Sequence, residues 1–551
     1  MNHSVKTLTD LYANGDIAIP EIQRDFVWKA PRVKGLVDSI NRDYPSGAII
    51  LWQPSFKGPE LEMLIRPERL HLYKDRPPKY LLVDGQQRLT ALCSVILRLQ
   101  DVIESLGEEV DLPTLFINLK TLAIEEKTDP SFVSPNEVLL NRVLSAEKDD
   151  SGLTAVLTEL SGRKDITAAH RNNLREFRER ILQYAYPVQV LDGHDYKTVA
   201  EIFRRVNSQG KVLVTAELEL AKIVPHWKGF SRHLRKFIKE MRREGFNASL
   251  PFYMRCLAFI ATGWPPIKYF SDQVEKGEDG FQPAQLERYW QKTKKAVKKL
   301  HASLKRSDIN RTELITSHNA LVPMAYALAN DRKNKISDGL LAKWLVFSIA
   351  GGHYAKAAET ALRKDSYLLT GAGDMHNRLD KLYRRMIKSD LSSTKFEERD
   401  FEGASAKNPA LLCIYLGLSH SGAVDFAGKN ASPISQLGQY HLHHIFPVEF
   451  MLADDDAERY RKQNRLSRPE FKEQINDVAN LTFISVAANH EIKKRPPYDY
   501  LSKLTTPKNL EAHCIPNDPE LWRPENFDKF CEERRRLLAK AMNSYIRSLK
   551  E

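Results

Sequence analysis

The segment 80–99 constrains the fold more than any other, because it predicts a strand, a tight turn and a helix in direct succession. Residues 80–83 form a short apolar run that is typical of a buried strand. Asp84-Gly85 is a common turn. After it, apolar residues recur on one helical face, at Leu89, Leu92, Val95, Ile96 and Leu99.

The start of this predicted helix has the residues of an anion site. The first N–H groups of a helix have no partner within the helix and can hold an anion. Gly85 lets the backbone approach a ligand closely. Arg88 can grip a phosphate through two parallel hydrogen bonds, and Gln86 and Gln87 add neutral donors. Asp84 could hold a metal ion or orient a water molecule. The alternative is a plain surface turn.

Two more motifs in the N-terminal part place arginine beside glutamine or asparagine. The first is Ile-Pro-Glu-Ile-Gln-Arg at 19–24, which ends on Arg24. The second is Phe-Arg-Arg-Val-Asn-Ser-Gln-Gly at 203–210, which contains Arg205 and Asn207. The sequence does not show that the three motifs converge, so separate solvated sites remain an alternative.

Together these motifs resemble the ParB-like domain of GmrSD-type restriction proteins, a family whose relatives include sensors of phosphorothioate-modified DNA. The resemblance covers roughly residues 1–220. It implies a ParB/sulfiredoxin-like fold whose Asp-Gly-Gln-Gln-Arg loop binds and hydrolyses a nucleoside triphosphate. The residues it implies for nucleotide binding are Arg24, Asp84, Gln86, Gln87, Arg88, Arg205 and Asn207.

A second set of polar residues lies far along the chain, beginning with three histidines in the run Tyr-His-Leu-His-His-Ile-Phe-Pro at 440–447. A metal-dependent nuclease needs a neutral imidazole to take a proton from water and ligands to hold a divalent ion against the phosphate. We assign His444 as general base and Asn480 as the residue that orients it. His443 and Asn489 are assigned as metal ligands, with His490 as an alternative to Asn489. Interior or surface histidines without a catalytic role are the competing interpretation.

The order strand, strand, helix around these residues resembles the His-Asn-His (ββα-metal) superfamily over about residues 435–505, and more closely the nuclease domain of GmrSD-type proteins. Lys493, Lys494 and Arg495 follow the predicted helix and could meet DNA phosphates. Two departures stand out. Many relatives have Asp where this chain has His443, which leaves the metal's identity open. A charged stretch of 454–477, predicted to be a helical insertion, lengthens the motif.

The charge balance fits a nucleic-acid partner. Lys and Arg number 83 and Asp and Glu 71, a net charge of +12. The five cysteines are scattered and form no Cys-x-x-Cys pair, which argues against a zinc ribbon and indicates a reducing compartment. The polar residues 1–10 argue against a secretory signal, and no apolar run is long enough to span a bilayer. We therefore expect a cytoplasmic protein.

The predicted fold class is α+β multidomain. We expect a ParB-like nucleotide-binding domain at 1–222, a helical coupling domain at 223–425 and a His-Asn-His nuclease domain at 426–551. Helical periodicity with many Lys and Arg, as at 286–304, supports the middle assignment.

The predicted function is modification-dependent cleavage of phage DNA, regulated by binding or hydrolysis of a nucleoside triphosphate. It requires a divalent metal, Mg²⁺ or Mn²⁺. Two alternatives remain: a nucleotide-regulated DNA-binding protein with a degenerate nuclease domain, and an N-terminal domain that binds nucleotide without hydrolysing it. The sequence leaves open the modification, the nucleotide, nicking versus double-strand cutting, and whether the chain forms a homo-oligomer.

Overall fold

The computed structural model of the chain divides into two compact units. Unit 1 comprises Met1–Lys236 and Ser271–Glu278, and unit 2 comprises Phe237–Phe270 and Asp279–Glu551. The described residues are 2–20, 23, 26–55, 61, 65, 77–97, 112–127, 133–145, 151–208, 215–391, 393–403, 408–426 and 431–550. Both the predicted helical segment and the predicted nuclease segment lie mostly in unit 2. The two borders between the three predicted domains stay predictions.

Unit 1 contains a five-stranded mixed sheet and a smaller three-stranded antiparallel sheet. The strands are β1 (Asn2–Ser4), β2 (Ile17–Ala18), β3 (Ile49–Gln53), β4 (Tyr80–Asp84), β5 (Leu115–Asn118), β6 (Ile124–Glu126), β7 (Glu137–Leu139) and β8 (Ala185–Asp192). The larger sheet has the order β1-β8-β3-β4-β2, and the smaller one β6-β5-β7. Central β3 pairs parallel with β8 and antiparallel with β4. The strand predicted at residues 80–83 is present as β4, and the mixture of strands and helices confirms the α+β character of this part.

Helices precede, connect and follow these strands along the chain. They are α1 (Val5–Ala13), α2 (Ala30–Asn41), α3 (Gln86–Ile96), α4 (Leu140–Leu144), α5 (Ser151–Ser161), α6 (Ala168–Gln183), α7 (Tyr196–Ser208), α8 (Thr215–Ile223) and α9 (Phe230–Arg243). Helix α2 shows why they form: Pro31 stands in the first turn, where a missing N–H costs nothing, and Val33, Val37 and Ile40 bury one apolar face.

The middle of the chain is helical, as its periodicity predicts. Its helices are α10 (Leu250–Thr262), α11 (Ile267–Lys276), α12 (Pro283–Arg306), α13 (Leu321–Asn330), α14 (Asp338–Ala350), α15 (Ala358–Thr370), α16 (Met375–Asp390) and α17 (Ala410–His420). Of the helices within the described ranges, none combines the length and the apolar character that a membrane span requires.

The C-terminal part of unit 2 surrounds a two-stranded antiparallel sheet. Its elements are β9 (Tyr440–His444), α18 (Val448–Ala453), α19 (Asp455–Gln463), α20 (Arg468–Ile475), β10 (Leu481–Ser485), α21 (Val486–Ile492), α22 (Pro497–Leu504), α23 (Pro507–Ala512) and α24 (Phe527–Ser548). The predicted insertion, 454–477, is helical, because α19 and α20 occupy most of it. Asp454 caps α19, and Ser467 forms a capping box with Glu470 at the start of α20.

Candidate active site

The antiparallel strands β9 and β10 and the following helix α21 position the candidate catalytic residues. His443 stands opposite Thr482, and His444 opposite Leu481, in the antiparallel ladder. Helix α21 follows β10 directly because the Ser485 hydroxyl accepts a hydrogen bond from the Ala488 N–H at 3.0 Å. The chain therefore runs strand, strand, helix, and the helix carries Asn489 back towards His443.

His443 is buried and has a partner at each ring nitrogen. Its Nδ1 lies 2.9 Å from Oδ1 of Asn489, and its Nε2 lies 3.1 Å from the hydroxyl of Tyr500. Burial lowers the pKa of His443 to about 4. The ring is therefore neutral at neutral pH, which is the form that binds a metal ion.

His444 is half-buried and oriented by a residue that sequence reasoning missed. Its Nε2 lies 3.0 Å from Oδ1 of Asn476. The Asn476 amide donates to the backbone carbonyl of Lys472 at 2.7 Å, so the carboxamide oxygen faces the ring and Nε2 carries the proton. Nδ1 of His444 then holds the lone pair, and it has no hydrogen-bond partner among the described residues. Burial lowers the pKa of His444, which keeps the ring neutral.

Asn480 does not make the contact that the sequence predicts for it. Its oxygen accepts from the Phe446 N–H at 2.8 Å, and its amide donates to the carbonyls of Phe446 and Ile475, both at 2.9 Å. All of these partners are backbone groups, because Asn480 is fully buried where the end of β9 meets the end of α20. Asn480 thus fixes the backbone beside His444, while Asn476 bonds the ring.

The two histidines share a cavity of about 500 Å³. Its lining residues are His441, His443, His444, Pro447, Val448, Glu449, Asn489, Lys493 and Lys494. His490 is exposed and does not line this cavity, whereas Asn489 does, and the assignment of Asn489 as a ligand stays a prediction. Arg495 also points elsewhere: its guanidinium donates to the carbonyls of Glu491 (2.8 Å) and Ile492 (3.3 Å) and caps the end of α21.

The donor pair of His443 and Asn489 fits a divalent cation. Two ligands about 2.1 Å from one octahedral ion and at right angles to each other lie about 3 Å apart. The observed separation of 2.9 Å between Nδ1 and Oδ1 matches this geometry. Within the described ranges, no group of three or more His, Cys, Asp and Glu side chains is placed to hold a metal. Two protein ligands leave room for water and phosphate oxygens, which suits Mg²⁺ and Mn²⁺.

Lys493, at the rim of this cavity, has a strained backbone. It follows the last residue of α21 with φ 55° and ψ −120°, a region that glycine adopts much more readily than other residues. Such strain costs roughly 1–3 kcal/mol and often marks functional positions.

We expect Lys493→Gly to stabilise the fold and weaken DNA binding. Relief of the strain should raise the free energy of unfolding by about 1 kcal/mol. Loss of one phosphate contact should reduce the slope of log DNA affinity against log salt concentration by about one. Thermal unfolding and DNA titrations at two salt concentrations measure the two effects. Lys494→Ala, which removes the neighbouring charge alone, should weaken DNA binding without stabilisation. An unchanged or lower unfolding temperature for Lys493→Gly would contradict the strain argument.

The N-terminal motif forms the predicted strand, turn and helix. Asp84 ends β4, Gly85 follows with φ 93°, and α3 begins at Gln86. A side chain at Gly85 would place its Cβ 2.4 Å from Cδ1 of Ile49, so the close approach and the positive φ both require glycine.

Arg88 is bound to the protein rather than extended towards a ligand. Its Nη1 donates to the Ser46 carbonyl at 2.8 Å, and Nη2 donates to the Ala48 carbonyl at 2.7 Å and to Asp84 at 3.0 Å. The guanidinium thus holds the turn before β3 against the start of α3. A Cβ at Gly47 would lie 1.7 Å from Nη1, which explains glycine in that turn. The phosphate grip expected of Arg88 would compete with these bonds.

Glutamine side chains near Arg88 link the motif at 19–24 to the turn at Asp84-Gly85. Gln23 donates to the carbonyls of Leu82 (3.0 Å) and Val83 (2.7 Å) at the end of β4. Gln87 accepts from the Val27 N–H at 2.9 Å and donates to the Gln86 carboxamide oxygen at 3.2 Å. The buried amide nitrogen of Gln86 has no hydrogen-bond partner among the described residues. It is a spare donor beside the first N–H groups of α3, as a phosphate site requires.

The third motif is only partly described. Arg205 lies on α7, which packs against β4, but its side chain is exposed and pairs with Glu201 at 2.7 Å. Of Asn207 only the backbone is described, and Arg24 lies outside the described residues. The convergence of Arg24, Arg205 and Asn207 on the Asp84 turn stays a prediction.

The N-terminal part of the chain is similar in sequence to a known family. Residues 5–224 match the family described as GmrSD restriction endonuclease, N-terminal domain. This part of the chain is therefore similar to the N-terminal domain of GmrSD restriction endonucleases. The chain is also 22% identical over 539 residues to the uncharacterized protein MJ0686 of Methanocaldococcus jannaschii, in an alignment that covers 92% of this chain and 87% of that protein.

Proposed function

We propose that the chain is a modification-dependent DNA endonuclease of antiphage defence, in which a nucleotide bound in unit 1 regulates metal-dependent phosphodiester cleavage in unit 2. The observation that carries the proposal is the cavity that His443, His444 and Asn489 share. In it, Nδ1 of His443 lies 2.9 Å from Oδ1 of Asn489, and Nδ1 of His444 has no hydrogen-bond partner among the described residues. The family of the N-terminal domain supports DNA as the substrate class.

In this proposal Nδ1 of His443 and Oδ1 of Asn489 would hold the divalent ion. When bound, the ion stabilises negative charge on the transferring phosphoryl group and the leaving oxygen. Neither ligand brings a negative charge, and Glu449 is the carboxylate among the residues that line the cavity. We therefore expect modest metal affinity and a requirement for millimolar metal, in contrast to a site with a ligating carboxylate.

His444 is the general base. Its Nδ1 takes a proton from the attacking water while Nε2–H stays bonded to Asn476. The bond to Asn476 becomes stronger as the ring gains positive charge, because the carboxamide oxygen then accepts from an imidazolium. Lys493 and Lys494 at the rim contact phosphates beside the one that is cleaved.

The nucleotide site lies at the start of α3. The triphosphate would accept hydrogen bonds from the first N–H groups of the helix and from the unpartnered Gln86 amide. Because Arg88 and Asp84 bond each other and the turn before β3, ligand binding there would move that turn as well. Regulation follows if this region has two arrangements, with the turn before β3 in its present place or moved, and if they bind nucleotide with unequal affinity.

Cleavage assays on matched DNA test the proposal. Purified protein is incubated with unmodified, glucosylated and phosphorothioate phage DNA, with Mg²⁺ or Mn²⁺ or with EDTA, and with and without ATP or GTP. We expect cleavage of one modified substrate that depends on metal and responds to nucleotide. Salt-dependent DNA binding without strand loss in any arm would contradict the nuclease assignment and favour the alternative of a degenerate nuclease domain. Phosphate release that is lost in Asp84→Ala would separate nucleotide hydrolysis from binding alone.

A further inference from the structure

Tyr500, a residue that the motifs do not include, contacts the proposed metal ligand His443 at Nε2, the ring nitrogen that does not face Asn489. It lies on α22 and is fully buried. Its hydroxyl donates to the backbone carbonyl of Ile445 at 2.9 Å and lies 3.1 Å from Nε2 of His443. The phenolic hydroxyl has one proton to donate, and the Ile445 carbonyl accepts it.

The proton count of this contact fixes the tautomer of His443. A backbone carbonyl can only accept, so the single phenolic proton of Tyr500 points to Ile445. The phenolic oxygen must then accept from Nε2–H of His443. We propose that Tyr500 is a positioning residue that holds His443 in the Nε2–H tautomer and thereby presents the Nδ1 lone pair to a divalent cation. This inference rests on the proposed metal site.

The contact at the other ring nitrogen, Nδ1, shows why the tautomer matters. With the proton on Nε2, the Nδ1 lone pair faces the Asn489 carboxamide at 2.9 Å. The amide can then donate to Nδ1 when no metal is bound, or present its oxygen so that both atoms bind one cation. With the proton on Nδ1, the same two atoms form an ordinary hydrogen bond that closes the site. A doubly protonated ring is disfavoured because His443 is buried. Tyr500 therefore selects the open form over the closed one.

Tyr500→Phe removes the acceptor with little change in volume. We expect His443 to shift towards the Nδ1–H tautomer and the affinity for Mn²⁺ to fall about 10- to 100-fold, the usual effect of losing a residue that orients a metal ligand. Tyr498→Phe is the matched control, since Tyr498 lies on the same helix and is 47% exposed. The control should change neither quantity.

The tautomer is measured on the full chain labelled with ¹⁵N-histidine, without metal or DNA, with the His443 signals assigned from a His443→Gln spectrum. Wild-type protein with the proton on Nδ1, donated to Oδ1 of Asn489, would overturn the inference even if Tyr500→Phe did not fold. An unchanged tautomer and unchanged Mn²⁺ affinity in folded Tyr500→Phe would also overturn it. Absence of DNA cleavage in an Nε2–H protein that binds Mn²⁺ would instead count against the proposed function alone.

Discussion

His444→Ala is expected to reduce metal-dependent DNA cleavage by roughly 10²- to 10⁴-fold, the usual contribution of a general base. The reason is the hydrogen bond from Nε2 to Asn476, which leaves Nδ1 as the proton acceptor of a ring that lines the cavity. Because His444 is not one of the proposed ligands, the affinities for Mn²⁺ and for DNA should remain close to those of the parent. Single-turnover cleavage with saturating metal measures the chemical step.

Two neighbouring substitutions separate the roles of the asparagines. Asn476→Ala frees the His444 ring and should lower the cleavage rate about tenfold with little effect on stability, since Asn476 is partly exposed. Asn480→Ala should mainly destabilise the fold, because the carbonyls and N–H that it bonds are buried. If His444→Ala cleaved as fast as the parent, the assignment of the base would be wrong.

Arg534→Met is expected to cause the largest loss of stability in unit 2. Arg534 lies on α24, is fully buried, and donates to the carbonyls of Ala479, Leu481 (2.8 Å) and His513 (3.4 Å). Burial lowers the pKa of this guanidinium to about 10, yet it stays charged at neutral pH. Each buried carbonyl left without a donor costs about 1–3 kcal/mol, so the total should reach roughly 3 kcal/mol or more.

Urea unfolding, followed by a probe in the C-terminal part, measures this loss. Arg536→Met is the matched control on the same helix, because Arg536 is exposed and pairs only with Glu533 in the contacts of the described residues. The control should change the free energy of unfolding by less than about 1 kcal/mol. Equal effects of the two substitutions would contradict the role given to Arg534. Since Arg534 bonds the residues on either side of Asn480, its loss should also slow cleavage through movement of the segment 475–481.

Much of the fold follows from local patterns in the sequence. The strand, turn and helix around Asp84-Gly85 were predictable because apolar periodicity and a glycine with positive φ act over a few residues. The helical insertion between the two strands is predictable for the same reason, since its caps are local. The short strands β1 and β2 were not, because their pairing with β8 and β4 depends on tertiary contacts.

The side-chain partners within the sites were less predictable. Arg88 has the same sequence signature whether it grips a phosphate or the carbonyls of Ser46 and Ala48, and only the fold decides. Asn476 and Asn480 are four residues apart, and nothing local tells which one reaches the His444 ring. Tyr500 comes 57 positions after His443, so its contact could not be read from any motif.

Binding of Mn²⁺ to the full chain, followed by electron paramagnetic resonance, tests the central claim most directly. The account predicts a site that is weakened roughly tenfold or more by Asn489→Ala and is unaffected by His490→Ala, because Asn489 faces His443 while His490 is exposed. Equal Mn²⁺ affinity of the parent and Asn489→Ala proteins, or a loss of affinity in His490→Ala alone, would contradict it.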